Sequence, residues 1–113
     1  IKELRDKTRN AKWLIVSGGD QAELREIFKQ RNLDGYFDGG IFGSPDDKDT
    51  ILKNEIKNRN IIGNSLFLGD SMYDYQAATT AKIEFIFLSK WTEVIDWKDK
   101  FSNSAYLSLT ALL

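Results

Sequence analysis

The sequence contains no cysteine and no histidine. The first absence excludes disulfides and thiolate metal sites, and leaves the redox compartment unread. The second excludes Ser-His and Cys-His catalysis and the usual zinc ligands. Any chemistry must use carboxylates, hydroxyls, lysine, arginine and backbone amides. Charge of one sign is also lacking: 16 basic against 17 acidic side chains give a formal net charge of -1. That balance offers nothing for nucleic acid or an anionic membrane to attract. No apolar run approaches the roughly 20 residues that span a bilayer. The charged start, "IKELRDKTRN", does not read as a signal peptide. A cytoplasmic, soluble protein is the expectation.

The chain is 113 residues long, with 42% hydrophobic and 29% charged residues. Those values fit one folded domain, residues 1–113, and argue against disorder. Its apolar runs are short. Trp13 to Val16, Leu66 to Leu68 and Phe85 to Leu88 read as buried strands, and Ile41-Phe42 as a shorter one. Between them lie amphipathic stretches. Asp20 to Arg31 sets Leu24, Ile27 and Phe28 on one face and opens with a capping pair, Asp20 and Glu23. Asp47 to Asn58 repeats the pattern with Ile51, Leu52 and Ile56 after a Ser-Pro-Asp start. The segment after Asp70 is rich in small residues, Ala77 to Ala81, suited to close packing on a sheet. Thr92 to Lys100 is expected to be helical, and Tyr106 to Leu113 a last short strand or helical turn. This alternation predicts an α/β fold with a mostly parallel sheet and helices on both faces. In such sheets ligands bind beyond the carboxyl ends of the strands.

Three groups fall at those ends. "IVSGGD" places Ser17 and the free amides of Gly18-Gly19 before a helix, an arrangement suited to phosphate; a tight turn capping that helix is the alternative. "GSPDDKD" places Lys48 at a helix start, the wrong end of the dipole for a cation. A bound anion would explain it, with Asp46, Asp47 and Asp49 offsetting part of the charge; a solvated lysine among acids is the alternative. "LFLGDSMYDYQAA" places Asp70 at a strand end and Asp74 on the next helical turn. Two carboxylates facing one point suit Mg²⁺, which takes one or two protein carboxylates with waters and a phosphate. Alternatively, Asp70 caps the helix and Asp74 is an ordinary first-turn acid.

Taken in order, a hydroxyl, a lysine and an acid pair at successive strand ends form a site for a phosphate and its metal. The chain resembles the haloacid dehalogenase superfamily of phosphohydrolases, in particular members similar to phosphoglycolate phosphatase. "WLIVSGG" matches that family's second motif at Ser17, "GSPDDKDTIL" its third at Lys48, and "GDSMYDYQAA" its fourth at Asp70 and Asp74. The resemblance runs from Ile1 to about Trp91. It implies a Rossmannoid three-layer α/β/α core and a Mg²⁺-dependent phosphate monoester hydrolase acting on a small phosphorylated metabolite through an aspartyl-phosphate. By the same resemblance, the catalytic residues are Ser17 and Lys48: Ser17 and the Gly18 amide bind phosphoryl oxygens, and Lys48 neutralises charge on the phosphate and on the attacking carboxylate. Asp70 coordinates Mg²⁺; Asp74 supports the metal through water or orients Lys48.

The family's first motif, a strand ending in DxDx[TV] that carries the nucleophile, is missing. Asp47-Lys48-Asp49 follows Ser-Pro rather than an apolar strand and is rejected as that motif. The chain therefore reads as a partial core domain lacking its first strand and cap, with both expected upstream of Ile1. In the family that strand lies between those ending at Ser17 and Asp70. Its absence predicts a gap that is closed by direct pairing of its neighbours, by another chain, or by upstream residues. A regular central strand from within these 113 residues would contradict that expectation. The alternative function is a non-catalytic binding or interaction module of the same fold. A receiver-type signalling domain does not fit, because its acids and lysine come in a different order.

Overall fold

The computed structural model describes residues 2–87 and 108–112. After a short helix α1 (Lys2–Lys7), the elements alternate: β1 (Lys12–Asp20), α2 (Gln21–Gln30), a 3-10 turn (Asp34–Tyr36), β2 (Gly40–Ser44), α3 (Lys48–Lys57), β3 (Ser65–Gly69), α4 (Met72–Thr80), β4 (Glu84–Phe87) and β5 (Ser108–Leu112). Among the described residues the five strands form one sheet in the order β2-β1-β5-β3-β4, and every pairing is parallel. The expected segment Thr92 to Lys100 and the end of the expected strand at Leu88 lie outside the described residues. No helix among those described is long and apolar enough to cross a membrane.

Parallel strands covered on both faces read as continuous apolar runs, and β1 and β3 behave so. Trp13 through Val16 and Ser65 through Gly69 are all buried. Alternate residues serve opposite faces. Trp13, Ile15, Leu66 and Leu68 pack with Phe37, Ile41 and Ile86, and Leu24 and Phe28 of α2 close that side. Leu14, Val16 and Phe67 face Ile51 and Leu52 of α3 and Ala77 and Ala78 of α4. Each fully buried Leu, Ile or Phe contributes about 1.5–3 kcal/mol, so these two clusters hold the layers together. The predicted inward face of α2 holds for Leu24 and Phe28 but not for Ile27, which remains 45% exposed. Ile56 is likewise exposed, while Ile51 and Leu52 are buried.

The principal correction concerns the centre of the sheet. The expected gap between the strands ending at Ser17 and Asp70 is absent. β5 occupies it, pairing along its whole length with both neighbours: Lys12 to Val16 on one side and Ser65 to Gly69 on the other. A central strand from within the chain leaves neither neighbour with an unpaired row of backbone groups, which is the costly outcome the gap would impose. The described sheet is thus continuous without any upstream strand. Its occupant is not wholly apolar. Thr110 is 1% exposed, and its hydroxyl has no hydrogen-bond partner among the described residues.

Strand β1 outruns the prediction, continuing from Val16 to Asp20. Its register with β2 shifts between Val16 and Asp20, so Ser17-Gly18-Gly19 forms a bulged strand end rather than a separate tight turn. Gly43 of β2 faces this bulge, where a Cβ would come within 2.3 Å of the Gly19 carbonyl oxygen. Only glycine fits there.

Candidate functional site

The strand register brings three of the expected groups to one end of the sheet. Val16, Leu112 and Gly69 are level across β1, β5 and β3. Ser17 and Asp70 each stand one residue beyond that level, two strand spacings apart, or about 10 Å. Lys48 and Asp74 enter from α3 and α4, whose N-termini both point to this end.

Asp74 is the most constrained of these groups. It is fully buried, in the first turn of α4, and its Oδ1 accepts from Lys48 Nζ at 2.5 Å. Its Oδ2 accepts from the Asp70 backbone N–H at 3.3 Å. Both oxygens are therefore engaged. The seat for this carboxylate is Gly69, where a Cβ would stand 2.8 Å from Asp74 Cβ and 2.9 Å from Oδ2. Nothing in the strand pattern marks Gly69 apart from other strand-end glycines. Its particular demand comes from a side chain five residues away.

Lys48 is the first residue of α3 and is buried, with its ammonium 5.8 Å from the ring centre of Tyr73. The helix dipole disfavours a cation there. The alternative of a solvated lysine among acids is incorrect, because Lys48 is buried. Its counter-ion within the chain is Asp74, 26 residues away, in the orienting role that the family resemblance implied. Asp47 serves the helix itself. As N-cap of α3, its Oδ1 accepts from the Thr50 N–H at 2.7 Å. That bond holds the Asp47 carboxyl below its usual pKa.

Asp70 is exposed, and among the described residues its carboxylate has no hydrogen-bond or ion-pair partner. The alternative that it caps α4 is incorrect. Ser71 is the N-cap, and its hydroxyl accepts from the Asp74 N–H at 3.1 Å. The S-x-x-D spacing of Ser71 and Asp74 is a readable capping signal, obscured in the sequence by the acids around it.

Ser17 is buried, and its hydroxyl oxygen accepts from the Gly19 N–H at 3.0 Å. It retains its own proton for donation. Gly18 is exposed, and a Cβ added there would meet nothing within 4 Å. This edge is open to an incoming group.

The arrangement therefore offers one unpaired carboxylate, one ammonium fixed by a buried counter-ion, and a hydroxyl at the end of β1. The donor set fits a hard cation in a limited way. Asp70 can supply one oxygen ligand, whereas Asp74 is already engaged, and no group of three or more acidic side chains able to hold a metal occurs among the described residues. Mg²⁺ bound through one carboxylate, with waters and a phosphate completing its shell, is compatible with such a site. The chain matches no protein-family model, no curated protein and no solved structure.

Proposed function

We propose that this chain supplies the phosphate- and metal-binding half of a Mg²⁺-dependent phosphate monoester hydrolase of the haloacid dehalogenase type, acting on a small phosphorylated metabolite. The observation that carries the reading is the division of labour between the acids. Asp74 is consumed in fixing Lys48, while the carboxylate of Asp70, beside it, has no partner among the described residues.

In this reading Lys48 offsets phosphoryl charge, and Asp74 holds its ammonium in place rather than touching the metal. Ser17 donates to a phosphoryl oxygen beside the Gly18 amide. Asp70 holds Mg²⁺, which supplies charge neutralisation at the phosphate when bound. Phosphoryl transfer depends chiefly on such positioning and charge stabilisation. The attacking carboxylate of an aspartyl-phosphate mechanism has no candidate in the sequence. With β5 seated between β1 and β3, a nucleophile strand can take that place only if β5 yields it.

That same placement favours a second reading, a non-catalytic binding module whose sheet is completed by its own last strand. The two readings separate on phosphate. The first predicts that titrating inorganic phosphate into the chain gives saturable binding that weakens by about tenfold or more in Lys48→Met. It also predicts no release of phosphate from an aryl phosphate by the chain alone. Absence of phosphate binding with and without Mg²⁺ would leave the module reading standing and overturn the first.

A further inference from the structure

Two large apolar side chains are exposed at the start of α4, close to the charged groups. Met72 is 64% and Tyr73 48% exposed, and they are the first two residues of α4, immediately after Ser71 and two and three residues after Asp70. The ring of Tyr73 lies 5.8 Å from Lys48 Nζ, so a ligand held by this ammonium has the exposed ring beside it. Single exposed apolar residues need no explanation. Here two large ones follow Asp70 in the chain, and one of them adjoins Lys48.

The electrostatic surroundings act in the same direction. Asp46, Asp47 and Asp49 are exposed around the start of α3, and Asp70 is exposed at the end of β3. Besides partial burial, Asp49, Asp47 and Asp74 push the Tyr73 phenol above its ordinary pKa, so the tyrosine stands within their field. A second negative charge on a ligand, close to its phosphate, would meet these acids with a single ammonium to offset them.

We infer that the organic part of the substrate is uncharged and apolar, an aromatic or heterocyclic group lying on Tyr73, and not a small carboxylate-bearing alcohol. This rests on the phosphate-site reading above. Tyr73 is then a specificity-determining residue: its ring offers a flat face to the ligand's planar group, while the acids exclude anionic ones.

The test compares the affinities of three probes for the full chain in the presence of Mg²⁺: methylphosphonate, phenylphosphonate and phosphonoacetate. Phenylphosphonate should bind roughly tenfold tighter than methylphosphonate, and phosphonoacetate weakest of the three. In Tyr73→Leu the preference for the phenyl group should fall to about twofold or less, while Tyr73→Phe should keep it. Using the ratio of two probes cancels any effect of the tyrosine on Lys48 itself. Equal affinities for methyl and phenyl probes, an unchanged ratio in Tyr73→Leu, or tighter binding of phosphonoacetate would overturn the inference and leave the phosphate site intact. Failure of all three probes to bind would overturn the phosphate-site reading and this inference with it.

Discussion

Lys48 Nζ and Asp74 Oδ1 form an ion pair at 2.5 Å with side chains only 10% and 0% exposed, joining the N-terminal turns of α3 and α4. Removing one partner from such a pair leaves an uncompensated buried charge, at a cost of about 3–5 kcal/mol. Lys48→Met and Asp74→Leu are each expected to destabilise the chain to that extent. The double variant should lose less than the sum, because apolar groups of similar volume tolerate the same space. Urea unfolding of the four proteins measures this. Additive losses would mean that the pair does not form.

The capping of α4 separates two neighbouring residues. Ser71→Ala removes the acceptor for the Asp74 N–H and should cost about 1 kcal/mol. Asp70→Ala removes a carboxylate that bonds to nothing among the described residues, and should change stability by less than about 0.5 kcal/mol. Thermal melts of the two variants test the assignment. The reverse ranking would restore Asp70 as the cap and remove it as a free ligand.

Thr110 tests the placement of β5. Its hydroxyl is buried and unpartnered, level in register with Leu14 and Phe67. A buried hydroxyl without a hydrogen bond costs about 1–3 kcal/mol, and valine is nearly its shape. Thr110→Val should therefore stabilise the chain by about 1 kcal/mol in denaturant unfolding. Thr110→Asp should unfold it or displace the strand. Indifference to both substitutions would place residue 110 at the surface, outside the centre of the sheet.

The pH dependence follows from two shifts with opposite signs. Tyr73 is raised above 10.0 in the folded chain by partial burial and by Asp49, Asp47 and Asp74. The folded state then keeps its proton when the unfolded state releases it, so stability falls as pH rises through and above about 10. Asp47 is lowered below 3.8 by its bonds to Thr50. Its contribution is present above that value and is lost as pH falls through the lowered one. Melting temperatures from about pH 9 to about pH 11 should drop less in Tyr73→Phe than in the parent. The acid limb should flatten in Asp47→Asn, which keeps a capping oxygen without the charge.

Local chemistry was the legible part of this fold. Asp20 accepts from the Glu23 N–H as expected, Asp47 caps α3 where the Ser-Pro-Asp signal placed it, and Trp13 is buried in its strand. Each depends on neighbours a few residues away. Ile27 shows where periodicity stops: it lies on the apolar stripe of α2, but the sheet beneath is covered by Leu24 and Phe28. Long-range relationships were legible only in part. The pairing of Lys48 with Asp74, 26 residues away, was one of the two roles the family resemblance implied for that acid, but no local pattern encodes it. The strand pattern near the C-terminus does not reveal that β5 lies between β1 and β3. Sheet order is set by which strands bury the most together, a sum over both faces that no single segment encodes.

The central claim is that the unpaired carboxylate of Asp70 holds a cation that helps to hold phosphate. The most direct measurement is the affinity for inorganic phosphate at rising Mg²⁺, by calorimetry, in the parent chain and in Asp70→Asn. Binding at coupled sites is reciprocal, so Mg²⁺ should tighten phosphate, and phosphate Mg²⁺, by the same factor of about tenfold or more. In Asp70→Asn that factor should fall to about one, with the melting temperature unchanged because no fold contact is lost. Equal coupling in the two proteins, or none in the parent, would contradict the account.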